Sequence, residues 1–127
     1  MIAALLLLAA AAPAEPCDNA ISQSAMTMCA AEAYKRADAA LNAQWKITLA
    51  KAKARDVESP PMSVAERRYA DGLLDSQRAW IAFRDAQCAA ESLEMRGGSA
   101  QPMLLYGCKA AMTRERTKWL KDFAAQQ

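Results

Sequence analysis

The chain has 127 residues, the size of one ordinary domain. Sixteen Lys and Arg stand against 14 Asp and Glu, and a net charge of +2 lacks the basic excess of a nucleic-acid binder. Histidine is absent, which removes the usual general base, the commonest metal ligand and any Ser-His or Cys-His nucleophile pair.

The first fourteen residues, "MIAALLLLAAAAPA", read as a signal peptide rather than as part of the fold. The apolar run from Ile2 to Ala12 has the length of a signal-peptide core and is too short to span a bilayer. Ala12 and Ala14 form an A-x-A cleavage site, so the mature domain is expected to run from 15 to 127. The leader carries no Lys or Arg ahead of its apolar run, which a misassigned start codon would explain. Pro16 stands where a lipobox needs a small residue, so a lipid anchor on Cys17 is disfavoured. The expected product is a periplasmic or secreted protein with no membrane span in its mature chain.

Three helical segments follow. Ser22 is a plausible N-cap for the first, which runs to about Arg55. Its apolar stripe is Met26, Ala30, Tyr34, Ala37, Leu41, Trp45, Thr48 and Ala52, and "ESPPMS" ends it because two prolines cannot continue a helix. The second is expected to begin at Ser63-Val64-Ala65-Glu66, which has the spacing of a capping box. It carries Leu73, Leu74, Trp80, Ile81 and Cys88 on one face, and Gly97-Gly98 marks its end. The third starts near Gln101-Pro102, proline being favoured in a first helical turn, with Leu104, Leu105, Cys108, Met112, Trp119 and Phe123 as its stripe. No strand-like alternation competes. The predicted fold is all-α: an elongated up-down-up three-helix bundle with a thin core, stapled by two disulfides.

Four cysteines in a small exported chain read first as two disulfides, and zinc on four scattered cysteines is much less favoured. Sequence alone allows three pairings. In an up-down-up bundle all four gather at one end, where Cys88 and Cys108 lie on facing apolar stripes near the Gly97-Gly98 turn. Cys29 points toward the N-terminal tail. Cys17–Cys29 with Cys88–Cys108 is therefore the favoured arrangement.

Each helix also turns a polar group inward. Asp38 lies between Tyr34, Leu41 and Trp45; Gln77 and Arg84 share the second stripe; Glu115 lies between Cys108, Met112 and Trp119. An unpaired charge there would be costly, so Arg84 is expected to pair with Asp38, Glu115 or both. The resulting buried polar network sets helix register more readily than it forms a ligand cleft. Asp38 and Glu115 are better read as partners of Arg84 than as a glycosidase pair, and the dispersed methionines as core rather than copper ligands. No catalytic residue, metal site or cofactor emerges.

"CAAEAYKRADAALNAQW" (29–45), "SQRAWIAFRDAQC" (76–88), "GGSAQP" (97–102) and "CKAAMTRERTKWL" (108–120) form a pattern. Through these four blocks the chain resembles the LprI-like lysozyme-inhibitor family of small exported bacterial proteins. The resemblance implies a helical, disulfide-stapled exported domain that inhibits animal-type lysozyme by protein–protein contact and performs no chemistry. Under that reading Gly97-Gly98-Ser99 is the candidate partner-binding loop, a glycine-rich protrusion able to enter a concave cleft. The plainer role of the two glycines is to end a helix and turn the chain. Animal lysozymes are basic, and a net +2 offers no global attraction, although Glu91 and Glu94 provide a local acidic patch offset by Arg96. The alternative function is a non-enzymatic envelope module that binds another protein, a peptide or a wall fragment.

Overall fold

The computed structural model describes Cys17 and residues 19–127, so the proposed leader and its cleavage site lie outside the described residues. Three long helices are present: α1 (Gln23–Glu58), α2 (Tyr69–Ser92) and α3 (Gln101–Ala125), with a short 3-10 turn, Leu93–Met95, between the last two. The described residues contain no strand. At about 1.5 Å per residue α1 is a rod of about 54 Å, half as long again as either of its neighbours.

Contacts between ends give the direction of each helix. Gln23 at the start of α1 reaches Met103 at the start of α3, while Lys51 and Arg55 near the end of α1 donate to the Ala124 carbonyl and to Gln127. Helices α1 and α3 therefore run parallel. Cys88 is joined to Cys108, and Gln77 meets Arg116, so α2 runs antiparallel to α3. The chain goes up, down and up.

Local chemistry accounts for two of the three helix starts. The Ser22 hydroxyl accepts the Ala25 amide at 3.1 Å and caps α1. Pro102 occupies the first turn of α3, where the missing amide hydrogen has no helical partner to lose. The start of α2 differs from the sequence expectation. Ser63–Glu66 forms an isolated turn, Glu66 accepting from the Met62 amide at 2.9 Å, and the helix begins only at Tyr69. No local side chain caps it. Instead the Asp56 carboxylate, on the last turns of α1, accepts the Tyr69 and Ala70 amides at 2.7 and 3.0 Å. An anion at a helix N-terminus satisfies orphan amides and the helix dipole together.

The core is thin and partly polar. Leu41, Ala52, Leu73 and Leu120 are buried together, with Trp45, Leu49, Ala70, Trp80 and Phe123 packed around them. The buried face of α3 is Ala110, Thr113, Arg116, Thr117, Leu120 and Ala124, roughly one residue step away from the stripe of large apolar residues. Trp119 remains 43% exposed and Ile81 40%, both corrections to their expected core positions. Small side chains explain the rotation. Ala37, Thr48 and Ala52 on α1 face this Ala- and Thr-rich strip, and the Thr48 hydroxyl donates directly to the Leu120 carbonyl at 3.0 Å. Such contact needs close backbones, so α3 gives its small face to α1 and leaves the large residues at the flanks.

Both disulfides lie at the end where α1 and α3 begin and α2 finishes, and they join Cys17 to Cys29 and Cys88 to Cys108. Their Cα–Cα separations are 5.3 and 5.5 Å, within the ordinary range for a disulfide.

Candidate functional site

Arg84 is buried in the middle of the bundle. Its Nε donates to Asp85 Oδ1 at 3.0 Å, and its Nη1 donates to the Thr113 hydroxyl at 3.3 Å and stands 3.9 Å from Asp38. The guanidinium also lies over two rings, 5.4 Å from the centroid of Tyr34 and 5.1 Å from that of Trp80. Lys109 extends the cluster, 3.6 Å from Asp85 and 5.6 Å from the Tyr34 ring centroid. Asp38 thus faces Arg84 across the α1–α2 contact, although at long range. Glu115 does not: it is exposed and makes no ion pair with Arg84. One residue further along α3, about 100° around the helix, Arg116 occupies the inward position instead.

Gln77 belongs to this second arginine. Arg116 Nε donates to Gln77 Oε1 at 2.9 Å and Nη2 donates to the Ser76 hydroxyl at 3.0 Å. Its guanidinium lies 4.4 Å from the Trp119 centroid and 5.6 Å from that of Trp80. Burial pushes its pKa below the ordinary arginine value. Sequence reasoning missed Arg116 and Asp85. The signal for Arg116 was present in the spacing Thr113, Arg116, Leu120, Ala124, but large apolar residues drew the stripe elsewhere.

The disulfide end holds the glycine loop. Gly97 has φ +76°, a left-handed conformation natural to glycine, and its amide donates to Gln101 Oε1 at 3.1 Å. A Cβ on Gly98 would stand 3.2 Å from the Met95 carbonyl oxygen, which itself accepts the Gly98 amide at 2.9 Å. Gln101 donates in turn to the Ser92 hydroxyl at 3.4 Å, tying the loop to the end of α2. Gly97, Gly98 and Ser99 are all exposed on this fastened turn.

Beside the loop is a groove of about 570 Å³, floored by Met103, Leu104, Gly107 and Cys108, with Ala30 on one wall and Glu91 and Glu94 on the other. The Glu91 carboxylate is oriented by Gln87 Nε2 at 2.9 Å. Met28, Leu93 and Met95 are exposed large apolar residues of the same end. The site thus offers backbone polar groups, apolar contact area and two carboxylates. Among the described residues no group of three His, Cys, Asp or Glu side chains could hold a metal ion, and no helix is long and apolar enough to cross a membrane.

Fold and site together define a disulfide-stapled three-helix domain whose cross-linked end carries a glycine loop and an acid-rimmed apolar groove. The family model described as lysozyme inhibitor LprI matches residues 16–120, and the chain belongs to that family. An uncharacterised protein of Rhizobium meliloti (strain 1021) is 42% identical over 123 residues, an alignment covering 92% of this chain and 88% of that one. No solved structure matches the chain.

Proposed function

We propose that this protein is exported and inhibits animal-type lysozyme, its disulfide-linked end occluding the enzyme's cleft. The family match supports the activity. The observation that carries the geometry is the placement of the exposed Gly97–Ser99 loop beside the groove rimmed by Glu91 and Glu94. A loop held by Gln101 and flanked by the Cys88–Cys108 bridge has little freedom left to lose on binding, which favours association. The two carboxylates give a basic enzyme a local target where the net charge of +2 gives none. Two disulfides, which persist in oxidising compartments, and the apolar leader support export to the periplasm or the outside of the cell.

The test is titration of the purified, oxidised protein against hen-type lysozyme, read by clearing of a bacterial cell-wall suspension. Clearing should fall in proportion to inhibitor and stop near equimolar addition when enzyme concentration exceeds Kd. Undiminished clearing at tens of micromolar inhibitor, about 7 kcal/mol of binding free energy or less, would refute inhibition.

A further inference from the structure

We propose that the cleft between α2 and α3 formed by Trp80, Met112, Arg116 and Trp119 binds a carboxylate carried on a small apolar body. This site lies on the other side of the Arg84 cluster from the disulfide end and does not depend on the lysozyme reading.

The argument starts from a contrast between two arginines that share one ring. Arg84 and Arg116 both contact Trp80, and both are more than nine-tenths buried. Arg84 has Asp85 and Asp38 to balance its charge. Arg116 has no carboxylate within ion-pairing distance among the described residues; its protein partners are the neutral oxygens of Gln77 and Ser76. A buried cation without a counter-ion is costly, and the Trp119 and Trp80 rings beneath the guanidinium offset only part of that cost. Two of its three nitrogens are committed, and Nη1 carries no protein hydrogen bond. No side-chain nitrogen or oxygen in the described residues is both fully enclosed and unpartnered, so Nη1 is not wholly sealed from solvent.

A cleft of about 260 Å³ lined by Trp80, Met112, Glu115, Arg116 and Trp119 opens beside the guanidinium. The volume lies below the range of drug-sized pockets, roughly 300–1,000 Å³, so the ligand is small. The walls are the Met112 thioether and the parts of the two indoles that the Arg116 guanidinium, 4.4 Å from the Trp119 centroid and 5.6 Å from that of Trp80, leaves uncovered, surfaces suited to a small apolar body. Trp119 stacks on Phe123 with centroids 5.0 Å apart and an interplanar angle of 17°, and it is 43% exposed. Gln77 and Ser76 hold the guanidinium by its Nε and Nη2 edge and leave the Nη1 end for a carboxylate. Glu115 at the rim works against any anion and selects for ligands whose apolar contacts outweigh that repulsion.

The probes are phenylacetate and its neutral counterpart phenylacetamide, added to the oxidised protein while the three indole Nε1–H resonances are followed by NMR. Trp80 and Trp119 line the cleft and Trp45 does not, so phenylacetate should shift the first two saturably and leave the third in place. Phenylacetamide should bind at least about tenfold more weakly, and Arg116→Gln should remove the preference. Glu115→Gln, at an exposed position that leaves the fold intact, should tighten phenylacetate a few-fold, about the effect of one surface charge. Equal response to acid and amide, no saturation by about 20 mM, an equal shift at Trp45, or weaker binding in Glu115→Gln would each overturn the proposal. The wild-type comparison and Glu115→Gln decide the matter even if Arg116→Gln fails to fold.

Discussion

Arg84 and Arg116 illustrate how the same side chain takes two roles in one bundle. Arg84 joins helices, because its donors reach Asp85 on its own helix, Thr113 on α3 and, at longer range, Asp38 on α1. Both carboxylates keep 43–47% of their side-chain surface in solvent, so they rehydrate when the guanidinium is removed. Arg84→Met should therefore lower stability by about 1–3 kcal/mol, less than the 3–5 kcal/mol typical of breaking a fully buried pair. Urea denaturation followed by helical circular dichroism measures this, and an unchanged midpoint would mean that the guanidinium contributes no net stability. Inward placement of Arg84 was legible from its spacing against Trp80 and Cys88. Its partners were not: Asp85 is adjacent in sequence and invisible to a stripe argument, and Glu115 differs from the inward Arg116 by a single position.

At the scale of the elements, the start of α2 shows tertiary structure overriding a local signal. Ser63 and Glu66 have capping-box spacing, yet the two prolines before them and the Asp56 carboxylate beyond the turn move the start to Tyr69. The consequence is a helix whose first amides depend on a different helix for their partner. Asp56→Ala should cost about 1–2 kcal/mol through loss of the cap and of the charge at the dipole's positive end. Hydrogen exchange localises the effect: amides of the first turn of α2 should lose protection while those around Leu120 hold theirs. Uniform loss of protection would instead mean that the Asp56 contact is part of the global folding unit.

For the whole molecule, the disulfides concentrate covalent constraint at the end proposed to meet lysozyme. The Cys88–Cys108 bridge closes a 20-residue separation that contains the glycine loop. By loop entropy it should contribute about 3 kcal/mol, and replacing both cysteines with serine should lower the denaturation midpoint accordingly. Inhibition should weaken more than stability alone explains, because the loop then has freedom to lose on binding. Glu91→Gln with Glu94→Gln tests the acidic rim. Association with lysozyme measured by stopped flow should slow by about tenfold at low salt, with the difference shrinking as the Debye length falls below about 10 Å. Equal rates in the variant and the parent would remove the groove from the binding reading.

Sequence by itself determined the three helices, the Ser22 cap, the proline break and the glycine turn, and it ranked first the cysteine pairing that the structure shows. Each follows from short-range chemistry or from the one end that an up-down-up chain makes common to all four sulfurs. The turn at Gly97 is legible because it adopts a backbone conformation that glycine accepts readily. Only tertiary structure decided which face of α3 is buried, where α2 begins and which arginine receives counter-charges. Helical periodicity identifies a stripe of large residues, but close approach between α1 and α3 is set by alanine and threonine, and that rotated α3 enough to exchange Glu115 for Arg116 at the inward position.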